Sequence, residues 1–326
     1  MTGPPMPRRR RRITAVNLDT GEPVTPALSR VLDSHLGREG PSMPGEYERI
    51  ARIEDPYVLL RAATERLAEA QQEVTELARL RRRLIQDLHA QGLSYAQIGE
   101  AAGLTRGRIH QIRHTGPAPE GAFLGTGRII IATPLKREER GARPVVAVED
   151  VTAANRLEAL ARSFALDAET EHVPLGGVID LNRPGLVVIC GPRLSQVMAE
   201  AYQRDPVIGW EHTPAGAWAL RDSRTGELYV SGLDDGPGRA YDVAYLGRLP
   251  RPDGGGTVLA FTGVHPQGTL GVVDLLTTDI ASLWGQVQAG QFSVVVGVEF
   301  DPVTHEPTRT RLLTPLYRHE QDQAGE

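Results

Sequence analysis

Apolar side chains recur at spacings of three and four through Leu60, Ala63, Leu67, Ala70, Val74 and Leu77, then after a break in register through Leu80, Leu84 and Leu88. That is the period of one helix face. It predicts a helix from Pro56 to Ala90, about 50 Å long at a rise of about 1.5 Å per residue. The clean heptads are fewer than a coiled coil requires, so the stripe either packs the helix on its own domain or forms a homodimer seam through 60–88. A shorter stripe of Leu28, Val31, Leu32, His35 and Leu36 predicts an amphipathic helix over 27–36, followed by a Gly- and Pro-rich linker at 37–45.

Past residue 127 the pattern changes to β-branched runs. RIIIAT (128–133), VVAVED (145–150), LVVIC (186–190), VIGW (207–210), AWALRD (217–222), ELYVSG (227–232), YDVAYLGRL (241–249), TVLAFTG (257–263) and SVVVGVEF (293–300) read as strands. Helices are predicted over Ala153–Phe164, from the loop after 190 to about Tyr202, and from about Gly268 to Gln288. Strands alternating with helices, several of them apolar on both faces, predict a three-layer α/β domain over 128–318 with a mainly parallel sheet and an antiparallel addition near 217–232. Thr115–Gly127, rich in Gly and Pro, reads as a linker that permits relative motion. The expected fold class is therefore α + α/β. An all-α helix-turn-helix domain over 26–114, with its long preceding helix, is followed by the α/β domain, and disordered tails lie at 1–25 and 319–326.

The stretch Ser94–His114, SYAQIGEAAGLTRGRIHQIRH, predicts two short helices joined at Gly103. Ser94 can cap the first helix with Gln97 as its capping-box partner, and Thr105 can cap the second. Gly103 stands where a left-handed residue is wanted. Ile98, Leu104, Ile109 and Ile112 would point inward, and Gly99 would let the helices approach closely. The outward face of the second helix carries Arg106, Arg108, His110, Gln111, Arg113 and His114, side chains suited to phosphates and base edges. Together with Ser94, Tyr95 and Thr105 they form the candidate DNA-binding set. Arg79, Arg81, Arg82 and Arg83 are near enough in sequence to reach the DNA backbone.

TRGRIHQI resembles the recognition helix of region four of the bacterial sigma factors, and SYAQIGEAAGL resembles the supporting helix before it. The resemblance covers about residues 79–114 and implies a helix-turn-helix whose second helix enters the major groove of double-stranded DNA. Gly107 departs from it by replacing a better helix former, at roughly 1 kcal/mol.

Charge sharpens this division. Residues 1–120 hold 18 Arg against 15 acidic residues, whereas 121–326 hold 18 basic against 26 acidic, so only the first part attracts DNA. The run Arg8–Arg12 suits either a minor-groove arm or a solvated tail. A lone cysteine, Cys190, excludes a disulfide framework and fits a reducing cytoplasm. No apolar run approaches the roughly 18 residues of a membrane span, and no signal-peptide pattern opens the chain.

Two loops in the second part follow apolar strands and lead into helices. Gly191, Arg193 and Ser195 in the first, and Gly263, His265, Gly268 and Thr269 in the second, are the candidate ligand-binding residues. Ligands of open α/β sheets bind beyond the carboxyl ends of strands, and helix N-termini offer N–H groups to anions. Arg193 in a first helical turn would oppose the helix dipole unless an anion lay between them. Neither loop matches a dinucleotide fingerprint or a P-loop, although both loosely resemble loops of Rossmann-like nucleotide-sensing and nucleoside-processing domains.

Cys190 reads as a core residue rather than a nucleophile, and Asp234, Asp235 and Asp242 read as solvated turn residues rather than acid–base groups. The nine His show no zinc-ligand spacing. No catalytic residue, metal or cofactor is predicted.

The expected function is a cytoplasmic transcription regulator whose α/β domain senses a small anionic, nucleotide-like ligand or mediates assembly. Two alternatives remain. One is a nucleoside- or nucleotide-processing enzyme with an appended DNA-binding unit. The other is an α/β docking module for RNA polymerase or another protein.

Overall fold

A computed structural model describes residues 45–138, 141, 143–176, 178–235 and 239–319. The basic segment 1–25, the helix predicted over 27–36 and the tail from 320 lie outside these. The chain divides into residues 1–66 and 67–326, a boundary that falls inside one helix. In the first unit, α1 (Glu46–Ala51) is tied to α2 (Pro56–Ala90) by Arg66 and Glu46, 2.7 Å apart. Asp55 starts α2 by accepting the backbone N–H groups of Tyr57 and Val58 at 2.8 and 3.1 Å, while Pro56 occupies the first position, where no donor is needed. The helix has the bounds that the apolar period predicts.

In the second unit, the last turns of α2 pack with α3 (Tyr95–Ala102) and α4 (Arg106–Thr115) around Ile85, Ile98, Ile109 and Ile112. Local chemistry sets every boundary. Ser94 and Gln97 form the reciprocal capping box, Thr105 Oγ1 accepts from Arg108 N at 3.2 Å, and Gly103 takes φ 68°. A side chain at Gly99 would bring its Cβ within 2.6 Å of the Leu104 carbonyl oxygen, so only glycine permits this helix crossing.

The segment predicted to be a mobile linker is packed instead. Pro119–Phe123 is a 3-10 turn, and Phe123 and Leu124 are buried in the core of the domain that follows. Their apolar side chains outweigh the flexibility that the neighbouring Gly and Pro would give.

That domain is built on a mixed eight-stranded sheet. Its elements are β1 (Arg128–Pro134), β4 (Asp167–Val173), β5 (Leu186–Val188), β9 (Tyr241–Pro250), β10 (Thr257–Gly263), β11 (Phe292–Phe300), β12 (Pro307–Leu312) and β13 (Tyr317–Arg318). The order is β12-β11-β9-β10-β5-β1-β4, with β13 on β11. The run β10-β5-β1-β4 is parallel, and β9, β11, β12 and β13 add antiparallel to it. Between β1 and α5 (Val148–Ser163) a short pair, β2 (Lys136–Arg137) and β3 (Pro144–Val145), forms a ribbon.

Alternation along each strand divides two cores. Leu259 and Phe261 of β10 face α5 and α7 (Pro266–Val287), whereas Val258 and Ala260 face the other side. That other side is covered by the short α6 (Gln196–Tyr202) and a three-stranded antiparallel sheet of β6 (Ile208–His212), β7 (Trp218–Asp222) and β8 (Leu228–Val230), not by a full helical layer.

Two strand predictions need correction. VVAVED is a strand only at Val145, because Val148, Glu149 and Asp150 open α5 with two carboxylates beside its positive end. β4, sequence DAETEHV, was not predicted. It is an edge strand pairing with β1 alone, and only Ala168 and Val173 among its residues are buried.

Candidate functional site

Two places carry concentrated polar chemistry. The first is the exposed side of α4, where Arg106, Arg108, His110, Gln111 and His114 lie open to solvent. Arg108 donates to Gln111 Oε1 at 2.8 Å, so the two present a joined donor and acceptor edge. His110 and His114 stack at 4.3 Å. His114 is held below the usual histidine range, by desolvation first and then by His110, Arg113 and Arg82, as expected on a crowded positive face.

The remaining members of the predicted set sit less openly. Arg113 lies half-buried over the Tyr95 ring at 5.5 Å, and Tyr95 packs against His89 at 4.3 Å. Ser94 and Thr105 are exposed caps, each with its oxygen engaged by a backbone N–H.

Of Arg79, Arg81, Arg82 and Arg83 on α2, only Arg81 is exposed. Arg79 is buried, pairs with Glu76 and donates to the Phe164 carbonyl at the end of α5. Arg82 donates to the Gly116 carbonyl. These two serve packing rather than a DNA backbone.

The second place is a narrow cleft of about 30 Å³ at the carboxyl ends of the parallel strands. It is lined by Pro134 at the end of β1, Ile189 and Gly191 after β5, and Thr262 and Gly263 at the end of β10. β1 has β4 on one side and β5 on the other, so the connections leaving β1 and β5 diverge and open a crevice between them. Both loops singled out in the sequence reach this cleft: Gly191 and Arg193 from one, and Gly263, His265 and Thr269 from the other.

Ser195 and Gly268 do not line it. Ser195 is buried and caps α6, accepting from Met198 N at 3.3 Å. Arg193 therefore precedes the helix and does not oppose its dipole in the first turn. Gly268 gives its N–H to Asp242 Oδ2 at 2.7 Å, and a Cβ there would lie 2.9 Å from the Gly263 Cα. These glycines are needed for backbone packing. Thr269 Oγ1 likewise accepts from Gly263 N at 3.0 Å.

The start of α7 is thus already served by a carboxylate of the chain. Asp242 Oδ2 takes the N–H groups of His265 and Gly268, and Oδ1 has no partner among the described residues. Asp234 accepts from the His265 ring at 3.0 Å, so two of the three acids predicted to be solvated turn residues converge on His265. Asp235, exposed like Asp234, lies 3.7 Å from Arg239.

Burial pushes the Asp242 carboxyl up to about 6. The folded state then holds this proton more tightly than the unfolded state. Asp242 favours folding at low pH, and that contribution is lost as pH rises through about 6. Asp242→Asn keeps an oxygen for the two N–H groups, and it should flatten the fall in stability between pH 5 and pH 8 by on the order of 1 kcal/mol. Urea unfolding at both pH values checks this, and an unchanged slope rejects the assignment.

Lys136, the chain's single lysine, enters the cleft beside β1. Its Nζ lies 2.8 Å from Asp150, whose carboxyl is raised by burial against the opposing pull of Lys136. Trp210 and Trp218 form the facing wall. None of these four was singled out in the sequence, although a solitary lysine in an arginine-rich chain was a visible signal. Cys190 is buried beneath the cleft, and burial pushes its thiol up to about 12, consistent with a core residue.

No family profile, curated protein or solved structure matches this chain. Among the described residues, no group of three or more His, Cys, Asp or Glu could hold a metal ion, and no helix is long and apolar enough to cross a membrane.

Proposed function

We propose that the protein is a DNA-binding transcription regulator that reads double-stranded DNA with α4 and responds to a small anionic, nucleotide-like ligand in the cleft. The observation that carries the DNA reading is the pair α3 and α4. The two helices cross at Gly99, turn at Gly103 and leave Arg106, Arg108, His110, Gln111 and His114 on one exposed face. These features support the helix-turn-helix reading.

Arg106→Ala or Gln111→Ala should change which sequences are bound, by about 1–3 kcal/mol at a contacted base. Binding selections on randomised duplexes at fixed salt test this, and variants that select the same sequences as wild type refute it.

The cleft and the DNA-binding helices share one element. Asp150 in the first turn of α5 lines the cleft, and the Phe164 carbonyl at its end receives Arg79 of α2. Sixteen residues of helix, about 24 Å, supply a rigid connection. A ligand acts through it only by binding two arrangements with different affinity.

A second copy completes the reading. Leu67, Val74, Leu77 and Leu84 of α2 are exposed at heptad spacing, and the same stripe on a twofold mate would cover them. A dimer of this kind reads two half-sites.

A further inference from the structure

We infer that a second pocket, framed by α2, the 3-10 turn at Pro119–Phe123 and the end of α7, binds a small carboxylate with an apolar, ring-sized body, and that Arg83 takes the carboxylate. No residue lining this pocket lines the cleft, so the inference stands apart from the reading given for the cleft.

Glu76, Leu80 and Arg83 follow one another on α2 at spacings of four and three, which sets them on one helix face together with Arg79. That face meets Pro119 and Trp284 around a space of about 190 Å³. An apolar cavity of about 150 Å³ holds one benzene ring, so a single ring with one small substituent fits here. Leu80, Pro119 and Trp284 supply the apolar walls.

Charge selects the substituent. Arg79 is matched by Glu76 and donates to the Phe164 carbonyl. Arg83 is half-buried and forms no hydrogen bond or ion pair with any described residue. The carbonyls at the neighbouring helix ends do not call for it, because Phe164 is served by Arg79, and Gln288 and Gly290 are served by Arg248. The pocket therefore holds one uncompensated positive charge.

A carboxylate neutralises that charge and matches the planar fork of a guanidinium with two parallel hydrogen bonds. A phosphate monoester, at about −1.5 to −2 charges, would leave negative charge beside Glu76. A neutral ring would leave Arg83 without an acceptor.

The test uses the full-length protein with benzoate, benzamide and acetate, and calorimetry at one salt concentration gives the affinities. Benzoate should bind at least about tenfold more tightly than benzamide, which lacks the charge, and than acetate, which lacks the ring. Arg83→Leu should reduce benzoate to the level of benzamide. Ala289→Trp, a change at an exposed residue of the pocket rim, should weaken benzoate by a similar factor by filling the space. Arg193→Ala, in the cleft, should leave benzoate binding unchanged. Benzamide or acetate binding as tightly as benzoate overturns the inference, as does the absence of benzoate binding at millimolar concentration. Benzoate affinity that survives both Arg83→Leu and Ala289→Trp, or that is lost with Arg193→Ala, places the carboxylate elsewhere and overturns it too.

Discussion

Leu67→Glu combined with Val74→Glu is expected to convert a dimer into a monomer and to weaken binding to a two-half-site duplex by about two orders of magnitude. Both side chains are exposed, at 60% and 67%, so the charges cost the folded monomer little. In a twofold dimer the same positions face their own copies across a dry seam. Each introduced carboxylate would then meet a like charge and lose its water. Once the dimer separates, the two half-sites are bound independently and the gain from linked binding disappears. Sedimentation at micromolar concentration and DNA titration at one salt concentration check both parts. A wild-type protein that sediments as a monomer removes the seam, and a double variant that stays dimeric moves it elsewhere.

Arg248→Met should lower folding stability by about 3 kcal/mol. Arg248 is 5% exposed and donates to the carbonyls of Gln288 and Gly290 at 2.7 and 3.0 Å, and to that of Phe123 at 2.7 Å. Its guanidinium also lies 5.1 Å from the Phe123 ring and 5.3 Å from the Phe292 ring. Burial pulls its pKa down to about 10, and carbonyl dipoles and ring faces surround the charge. Methionine replaces much of the apolar volume and restores none of these bonds, leaving buried carbonyls without donors. The 3-10 turn at Pro119–Phe123, which joins α4 to the sheet, should loosen first. Hydrogen exchange over residues 116–127 and chemical unfolding measure the effect, and a loss below about 0.5 kcal/mol contradicts it.

Much of the helical part was legible because its determinants are local. Asp55 with Pro56, the Ser94–Gln97 box, Thr105 and Gly103 each act within a few residues, and the observed helices begin and end at them. The apolar strands β1, β5, β9, β10 and β11 were legible for a similar reason, since unbroken β-branched runs mark strands buried on both faces. β4 was hidden by its polar composition, which an edge position tolerates. The helical half of VVAVED was hidden by β-branched residues that are exposed in the structure: Val148 is 76% accessible at the start of α5.

Packing reversed readings that composition had suggested. Phe123 docks into a core through Arg248, so a Gly- and Pro-rich segment is held firmly. Asp242 and Asp234, acids in a glycine-rich turn, meet at His265 because β9 lies beside β10.

By itself, then, the sequence determined the helix caps, the apolar helix face, the buried strands and the polar face of α4, all of which follow from contacts and periods spanning a few residues. Only the tertiary structure decided that positions 136, 150, 193, 210, 218 and 265 share one cleft. They come from β2, α5, two loops and an added antiparallel sheet, and what unites them is strand order. Periodicity records which face of a strand is buried and carries no information about which strand lies beside it.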